Sequence, residues 1–416
     1  YLTTLMEEKA VEFLRSTPAD RPFCLTVALK EPHGPWNYYD PELADPYQDA
    51  QIPPPPTFTL EHYRSQPEFI RSSLNGGSGP RWFDNAEAYQ QHTRTYYRLI
   101  TRADLALGRI MEALRAAGMK DDAARSEKES LAYRQDIEES MGRAVTEHDG
   151  LRILPVMPDT HKYLKRAAYK THVEAEPGKG YTGHGYYSLF GSILLETGFL
   201  PASDERFRLI TELLERRNGL EMGMCAFGAK GGIDHAFTYG YWMNCLERDE
   251  VERVLLGFYG TLAYGMSRGT WAGVECTNMV TGSNARTLPH LRSGTQQLRL
   301  LRNMLVREQG NRLVLAQAAP QHWLADGKQV AVLDAPTHFG KVSYTIDSHA
   351  DRGRIAVKLD PPGRTPPEAI VLHLRHPERT KMKGVSVDGK PTDRFGDGIV
   401  VLEGLDRPAT IEVRYR

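Results

Sequence analysis

The sequence predicts an α+β multidomain protein. It should have a toroid-like helical region of α/α hairpins, then an antiparallel β-sandwich, all preceded by a partial α/β segment. Three observations predict this order. Residues 1–120 run helix, strand, long loop, helix; residues 121–308 have mostly helical periodicity; and residues 309–416 alternate with a period of two. We interpret these three textures as three domains.

The first region places an apolar stretch between two helical patterns. "LMEEKAVEFLRS" and "YYRLITRADLALGRIMEALRAAG" have helical spacing, the second closed by Gly118, and "PFCLTVALK" is typical of a buried strand. The prolines of "DPYQDAQIPPPPTF" forbid regular structure. We expect that loop to follow the surface or to wrap a neighbour.

The middle region contains successive helical patterns joined by glycine-rich loops, which predict α/α hairpins. The patterns are "SEKESLAYRQDIEESMGRAV", "HGYYSLFGSILLETG", "DERFRLITELLERR", "HAFTYGYWMNCLER", "DEVERVLLGFYGTLAYG" and "TQQLRLLRNMLVRE". Asp204 and Asp249 stand at plausible helix N-caps. A closed toroid of six hairpins needs more helices than this region supplies. We therefore expect an open half-toroid, or one completed by the first region or by another subunit of a homo-oligomer.

Short strands separated by Gly, Pro and Asp turns fill the last region. They are "NRLVLAQ", "KQVAVLDAP", "KVSYTIDSH", "GRIAVKLD", "AIVLHLRH", "GVSVDGKPT", "GIVVLEG" and "TIEVRYR". Asp388–Gly389 is a strong hairpin signal, since both residues accept the positive φ of a two-residue turn. The pattern predicts a β-sandwich of about eight strands.

Composition narrows the classes of partner and cofactor. Lys and Arg number 52 against 53 for Asp and Glu, so no global field favours nucleic acid or a membrane surface. No apolar run approaches the roughly 18 residues of a membrane span. The four cysteines lie far apart and form no CxxC pair, so we expect packed thiols with neither a zinc site nor a disulfide framework. We expect no cofactor and no metal. The opening residues contain no basic or apolar signal-peptide region, so we expect no such peptide within this sequence.

The stretch "KAVEFLRSTPADRPFCLTVALKEPHGPW", followed by "YYRLITRADLALGRIMEALRAAGMKDD", resembles the middle of type I sulfatases. In that family the Lys and His of a K-x-P-H element contact the sulfate ester, so the resemblance assigns this contact to Lys30 and His33. The family also uses a C/S-x-P-x-R motif and a calcium-binding Asp-Asn-Gly strand. This sequence contains neither, and helix-forming "MKDDAARSEKESLAY" stands in place of the strand. We therefore expect Lys30 and His33 to serve packing or solvent exposure.

The segment 174–290 concentrates the groups that a sugar site needs: aromatic rings, polar side chains and carboxyl groups. They fall on three loops. The first carries Tyr181, His184, Tyr186 and Tyr187; the second Glu221, Asp234, His235, Tyr239, Tyr241 and Trp242; the third Arg268, Trp271, Glu275, Asn278 and His290. Loops at one end of a toroid converge, so we expect these three to share a cleft.

Three of these residues are candidate catalytic carboxyl groups. Apolar neighbours should raise the pKa of Glu221 or Glu275 toward that of a general acid, with Asp234 or the other Glu as nucleophile or base. Asp234 could instead be only an N-cap. The remaining candidates are predicted to bind substrate: Tyr181, His184, His235, Tyr239, Trp242, Arg268, Trp271 and His290. The aromatic rings could equally form the core, and the histidines could simply pack.

Residues 150–416 also resemble the C-terminal half of bacterial six-hairpin glycosidases, through "LRLLRNMLVRE" and "LVLAQAAPQHWLADGKQVAVLDAPTHFGKVSYTI" before a terminal β-domain. That resemblance implies a glycoside hydrolase with a carbohydrate substrate. The sequence leaves the location undetermined, with a secreted or periplasmic one slightly favoured over the cytoplasm. Two alternatives stay open. One is a polysaccharide lyase with Tyr181, His184 or His235 as base and Arg268 neutralising a uronate. The other is a sulfatase-derived glycan-binding protein without catalysis.

Overall fold

The computed structural model describes residues 2–18, 23, 25–32, 46–56, 58–66, 68–71, 85–116, 122–148, 150–155, 175–176, 180–181, 183–266, 271–283 and 289–416. The chain divides into two compact units, Tyr1–Arg143 and Ala144–Arg416. The changes in hydrophobic periodicity along the sequence suggested different divisions, near residues 120 and 308. No helix among the described residues is long and apolar enough to cross a membrane.

The described part of the first unit is helical. Its helices are α1 (Leu2–Ser16), α2 (Leu60–Ser65), α3 (Glu68–Arg71), α4 (Ala86–Ala116) and α5 (Asp122–Ala144, which runs one residue past the division). The α1 and α4 helices pack through Ala10, Leu14 and Ile110. Beside this core Glu7, 4% exposed, accepts hydrogen bonds from Arg102 at 2.6 Å and Arg109 at 2.8 Å. A buried ion pair therefore joins the two helices.

Both helical predictions for the first region are confirmed, and the predicted buried strand is wrong. Residues 25–30 belong to no strand, and their side chains alternate between half-buried and exposed. Leu25 and Val27 pack against the α1–α4 core instead. The proline-rich loop follows the surface of α4, as expected. Gln90 accepts from the Ile52 amide at 3.0 Å and donates to the Ile52 carbonyl at 2.7 Å.

The second unit begins with a helical half, whose helices all coincide with predicted patterns. They are α6 (Tyr186–Glu196), α7 (Glu205–Arg216), α8 (Tyr239–Glu247), α9 (Val251–Gly260) and α10 (Leu291–Leu305). Between them lie short strands: β1 (Thr146–His148), β2 (Leu151–Ile153), β3 (Ala175–Glu176), β4 (Gly180–Tyr181), β5 (Leu220–Glu221), β6 (Met224–Cys225), β7 (Gly232–Ile233) and β8 (Thr277–Asn278). The predicted toroid-like arrangement of these helices is not confirmed.

Glycine allows α8 to pack very closely against its neighbours. A Cβ at Gly240 would clash with the Ser192 carbonyl of α6, and a Cβ at Gly257 of α9 would clash with the Trp242 indole. The indole is fully buried and its Nε1 donates to the Gly223 carbonyl at 2.7 Å. The α8 helix is thus held between α6 and α9, and the loops at its N-terminal end are fixed with it.

The C-terminal half is a β-sandwich-like pair of sheets, as predicted. Its strands are β9 (Val306–Gln309), β10 (Arg312–Leu315), β11 (Gln329–Thr337), β12 (Gly340–His349), β13 (Arg354–Asp360), β14 (Ala369–His373), β15 (Gly384–Val387), β16 (Lys390–Thr392), β17 (Phe395–Gly396), β18 (Ile399–Glu403) and β19 (Ala409–Arg414). The sheet orders are β17-β18-β14-β10-β9 and β11-β12-β13-β19-β15-β16. One core joins residues of both, among them Leu313, Leu372, Tyr344 and Val357.

Three details of the second unit test the turn and cap predictions, and a fourth concerns strand direction. Asp388 and Gly389 have φ of 48° and 77° in the β15–β16 hairpin, which confirms that turn. Asp204 caps α7 by accepting from the Arg206 amide at 2.9 Å, as expected. The predicted Asp249 cap is wrong: Glu250 holds that position, and Asp249 pairs with Arg375 instead. The sandwich is not wholly antiparallel, because β10 and β14 run parallel.

Candidate active site

Short strand pairs carry Asp234 to the N-terminal end of α8. The β5–β6 hairpin continues through an antiparallel bridge between Ala226 and Ile233 into the β7–β8 pair. The Asp234 amide donates to the Cys225 carbonyl at 2.8 Å, which fixes the backbone where β7 ends. Since Ile233 pairs with Thr277 in β8, the next residues along, Asp234 and Cys276, face each other. Asp234 and Cys276 are 42 residues apart in the sequence.

The Asp234 carboxyl group is buried and asymmetrically bound. Its residue is 2% exposed, and the Cys276 thiol donates to Oδ2 at 3.3 Å. Oδ1 has no hydrogen-bond partner within the described part of the chain. Burial raises the pKa of Asp234 to about 7; the charge of Glu275 adds to the rise, and the Cys276 hydrogen bond opposes it. Asp234 can therefore carry a proton near neutral pH, and Oδ1 is a buried oxygen without a hydrogen-bond partner in the described structure.

A second buried group lies directly after Asp234. His235 is 1% exposed, and its ring packs so closely on Gly265 that a Cβ there would lie 2.6 Å from Nδ1. Both ring nitrogens lack a partner among the described residues. Burial lowers the pKa of His235 to about 4, and the charge of His290 lowers it further. His235 is thus a neutral imidazole above that pH, able to donate at one nitrogen and accept at the other.

His290 holds the N-cap position of α10. Its Nδ1 shares a 2.7 Å hydrogen bond with the Ser293 hydroxyl, which also donates to the Val274 carbonyl at 2.8 Å. The loop before α10 is therefore tied to the segment that carries Glu275. Asp234 interacts electrostatically with Glu275, and the adjacent His235 interacts with His290, although the two partners of each pair lie far apart in the sequence.

Glu221 forms a separate electrostatic pair with His184. Glu221 is half-buried on β5, and His184 is half-buried in the loop that leads into α6. Burial lowers the pKa of His184, while the charge of Glu221 opposes that change. Their segments touch at Gly183 and Gly219, where a Cβ on Gly219 would lie 2.9 Å from the Gly183 carbonyl. The predicted carboxyl trio thus divides into Asp234 with Glu275 and Glu221 with His184.

The predicted aromatic platforms lie in different environments. Tyr239 and Trp242 are buried in the helical core, where the Tyr239 hydroxyl accepts from Asn303 at 3.0 Å and its ring carries the Arg299 guanidinium at 3.9 Å. These rings take the packing role that the sequence left open. Trp271 is 57% exposed, with a φ of 55°. It is the candidate ring best placed to meet a soluble ligand.

Some candidates fall outside what the structure describes. Arg268 and His33 lie outside the described residues, and for Tyr181 only the backbone, in β4, is described. Lys30 is exposed. Within the described part of the chain no group of three or more His, Cys, Asp or Glu side chains is arranged to hold a metal ion.

Cys276 and Arg292 were not among the predicted site residues. Burial raises the pKa of the Cys276 thiol, and the charge of Asp234 adds to the effect, so Cys276 stays a protonated donor. Arg292 lies over the Phe237 ring at 4.7 Å and donates to the Ala236 carbonyl at 3.2 Å, where its charge lowers the pKa of Asp234. The adjacent Glu275–Cys276 pair was a usable signal, but a lone cysteine is more often simple packing.

Comparison with known proteins finds a family match that ends within the first unit. A family model described as Sulfatase matches residues 1–124, which confirms the resemblance inferred from the K-x-P-H region. Sulfatases are hydrolases, so this segment suggests that enzyme class. No curated protein matches the chain. The match covers less than a third of the sequence and ends before the unit that contains Asp234.

Proposed function

We propose that the second unit is a glycoside hydrolase, with Asp234 as its general acid and Glu275 as its second carboxyl group. The observation that carries the proposal is the state of Asp234: a buried carboxyl group whose pKa burial raises to about 7, with the Cys276 thiol donating to Oδ2 and with Oδ1 buried without a hydrogen-bond partner in the described structure. Glycosidic bond cleavage needs such a group to protonate the leaving oxygen. Glu275, half-buried beside it, supplies the negative charge.

The proposed mechanism assigns the acid differently from the sequence expectation, which favoured a glutamic acid. Asp234 Oδ1 delivers its proton to the departing oxygen, and Glu275 attacks the anomeric carbon or activates water. The neutral His235 nitrogens are suited to sugar hydroxyls, because a neutral imidazole offers both a donor and an acceptor. The positive charge of Arg292, in α10, lowers the pKa of Asp234.

A panel of aryl glycosides tests the proposal. We expect turnover of at least one glycoside, and a loss of about 10²–10⁴-fold in kcat for Glu275→Gln. Asp234→Asn should lose most with poor leaving groups and least with nitrophenol, because nitrophenol departs without protonation. Asp360→Asn, an exposed Asp at the end of β13, is the matched control and should stay active. Equal loss for good and poor leaving groups would remove Asp234 from the acid role.

Sulfate-ester hydrolysis is the second candidate, and the family match over residues 1–124 favours it. The residues present do not fit that chemistry well: the sequence lacks a C/S-x-P-x-R motif, and α5 (Asp122–Ala144) occupies the place of the calcium-binding strand. An aryl sulfate included in the same panel separates the two functions. Release from the sulfate alone, lost in Lys30→Ala, would replace the glycosidase proposal.

A further inference from the structure

We infer that the second unit has an accessory carbohydrate-binding site, separate from Asp234, where α9 meets the β-sandwich. A cavity of about 750 Å³ opens there. Three segments enclose it: one face of α9, the loop of residues 319–325 after β10, and the loop of residues 375–379 after β14. No function discussed above accounts for this cavity.

An ion pair between Asp249 of the helical half and Arg375 of the sandwich lines the cavity. Arg375 donates to both carboxylate oxygens of Asp249, at 2.7 and 2.6 Å, and also to the Gln317 carbonyl. The Gln317 amide in turn donates to Asp249 at 3.1 Å and to the Leu246 carbonyl at 2.8 Å. Nη2 of Arg375 contacts both carboxylate oxygens while Nη1 binds the Gln317 carbonyl, and a guanidinium held at both terminal nitrogens has little rotational freedom. The side chains of Asp249 and Arg375 are therefore fixed in place before a ligand binds.

One wall of the cavity is aromatic. Tyr259 lies one and two turns beyond Leu255 and Glu252 on the same face of α9, and all three line the cavity. Its ring is 40% exposed, and its hydroxyl lies 3.4 Å from Nε2 of His322, which leads into the opposite segment. Tyrosine in this setting presents a flat apolar face with a polar end.

The remaining wall carries Arg379, a residue with a φ of 57° whose side chain has no ion-pair partner within the described part of the chain. The cavity thus has two guanidinium groups, Arg375 and Arg379, and two carboxylates, Asp249 and Glu252. The balance of charge gives no preference for a polyanion. A flat ring that lines the same cavity as planar donors and acceptors of both signs matches a neutral sugar, whose ring face is apolar and whose edge is hydroxylated.

The chain can be tested by affinity electrophoresis through gels that contain neutral polysaccharides: arabinoxylan, mixed-linkage β-glucan, arabinogalactan, arabinan and galactomannan. Dextran sulfate serves as the anionic comparison. We expect retardation by at least one neutral polymer. The Kd should be roughly tenfold higher for Tyr259→Ala and for Arg379→Ala. Tyr264→Ala, an equally exposed tyrosine that does not line the cavity, is the matched control and should bind normally.

Asp234→Asn separates this site from the proposed active site, because it should leave the retardation unchanged. Retardation that disappears with Asp234→Asn, or that persists in both Tyr259→Ala and Arg379→Ala, would place binding elsewhere and overturn the inference. Absence of retardation by every neutral polymer, or retardation by dextran sulfate alone, would overturn it too. Retardation without glycoside turnover would uphold the accessory site while refuting the glycosidase proposal.

Discussion

The Cys276 thiol donates a 3.3 Å hydrogen bond to Oδ2 of Asp234, across the end of the β7–β8 pair, while Oδ1 has no partner in the described structure. The thiol stabilises the carboxylate form, so it limits how far burial raises the pKa of Asp234. The two residues together set the pH range in which this site holds a proton.

Cys276→Ala should therefore raise the pKa of Asp234 and shift the alkaline limb of kcat/KM to higher pH. Cys276→Ser keeps a hydroxyl donor at the same place and should shift the limb much less. The measurement is the pH dependence of kcat/KM on the best aryl glycoside. A limb that stays in place in Cys276→Ala would show that the thiol does not control Asp234.

Asp234 should also make the folded protein less stable as pH rises. Its folded pKa of about 7 lies above the ordinary aspartate value of 3.8, so the folded state binds this proton more tightly than the unfolded state. The free energy of unfolding from this group is then greatest below the unfolded pKa and is lost as pH rises through about 7. Asp234→Asn cannot titrate and should lack this decline, by a few kcal/mol across the window. Parallel curves of unfolding free energy against pH for the two proteins would contradict the assignment.

Gly257→Ala should destabilise the second unit, because the new methyl group would clash with the Trp242 indole. The overpacking cost is about 1–3 kcal/mol, more than the gain in helix propensity. Gly294→Ala in α10, where nothing lies within 4 Å of the added Cβ, is the matched control and should stabilise by up to about 1 kcal/mol. Urea unfolding followed by tryptophan fluorescence measures both changes. Two variants of equal stability would mean that the α8–α9 contact is looser than described.

Glu7→Ala should strongly destabilise the first unit, since it leaves the buried Arg102 guanidinium, 1% exposed, without its carboxylate. Removing one partner of a buried pair costs about 3–5 kcal/mol. Glu12→Ala breaks the exposed pair with Lys9, where solvent screens the attraction, and should change stability very little. Thermal unfolding of the two variants supplies the comparison. A small effect for Glu7→Ala would indicate that Arg102 finds another acceptor.

Local patterns predicted the elements well where periodicity and turn chemistry act over a few residues. Helices such as α7, with its Asp204 cap, and hairpins such as Asp388–Gly389 follow from adjacent side chains. The strand expected in "PFCLTVALK" failed because its apolar residues pack on helices, and an apolar run alone cannot distinguish these environments.

The sequence named several residues of the candidate site, but neither Cys276 nor Arg292. Asp234, His235, Glu275 and His290 were all candidates, but their partition into an electrostatic group depends on strand register between β7 and β8, which lie 44 residues apart from Ile233 to Thr277. Asp249 shows likewise that long-range pairing could not be predicted, because it pairs with Arg375 instead of capping α9. A cap depends on the next turn of helix, whereas its pairing with Arg375 depends on a loop 126 residues away.

The passage from α10 to β9 occurs at a single peptide bond, with Leu305 the last helical residue and Val306 the first of the strand. No spacer separates the two halves at this point, and Tyr344 of the sandwich donates to the Leu305 carbonyl at 2.9 Å. A protease would find no exposed hinge there. Cleavage at this junction should therefore be slow, and the helical half and the sandwich should unfold together.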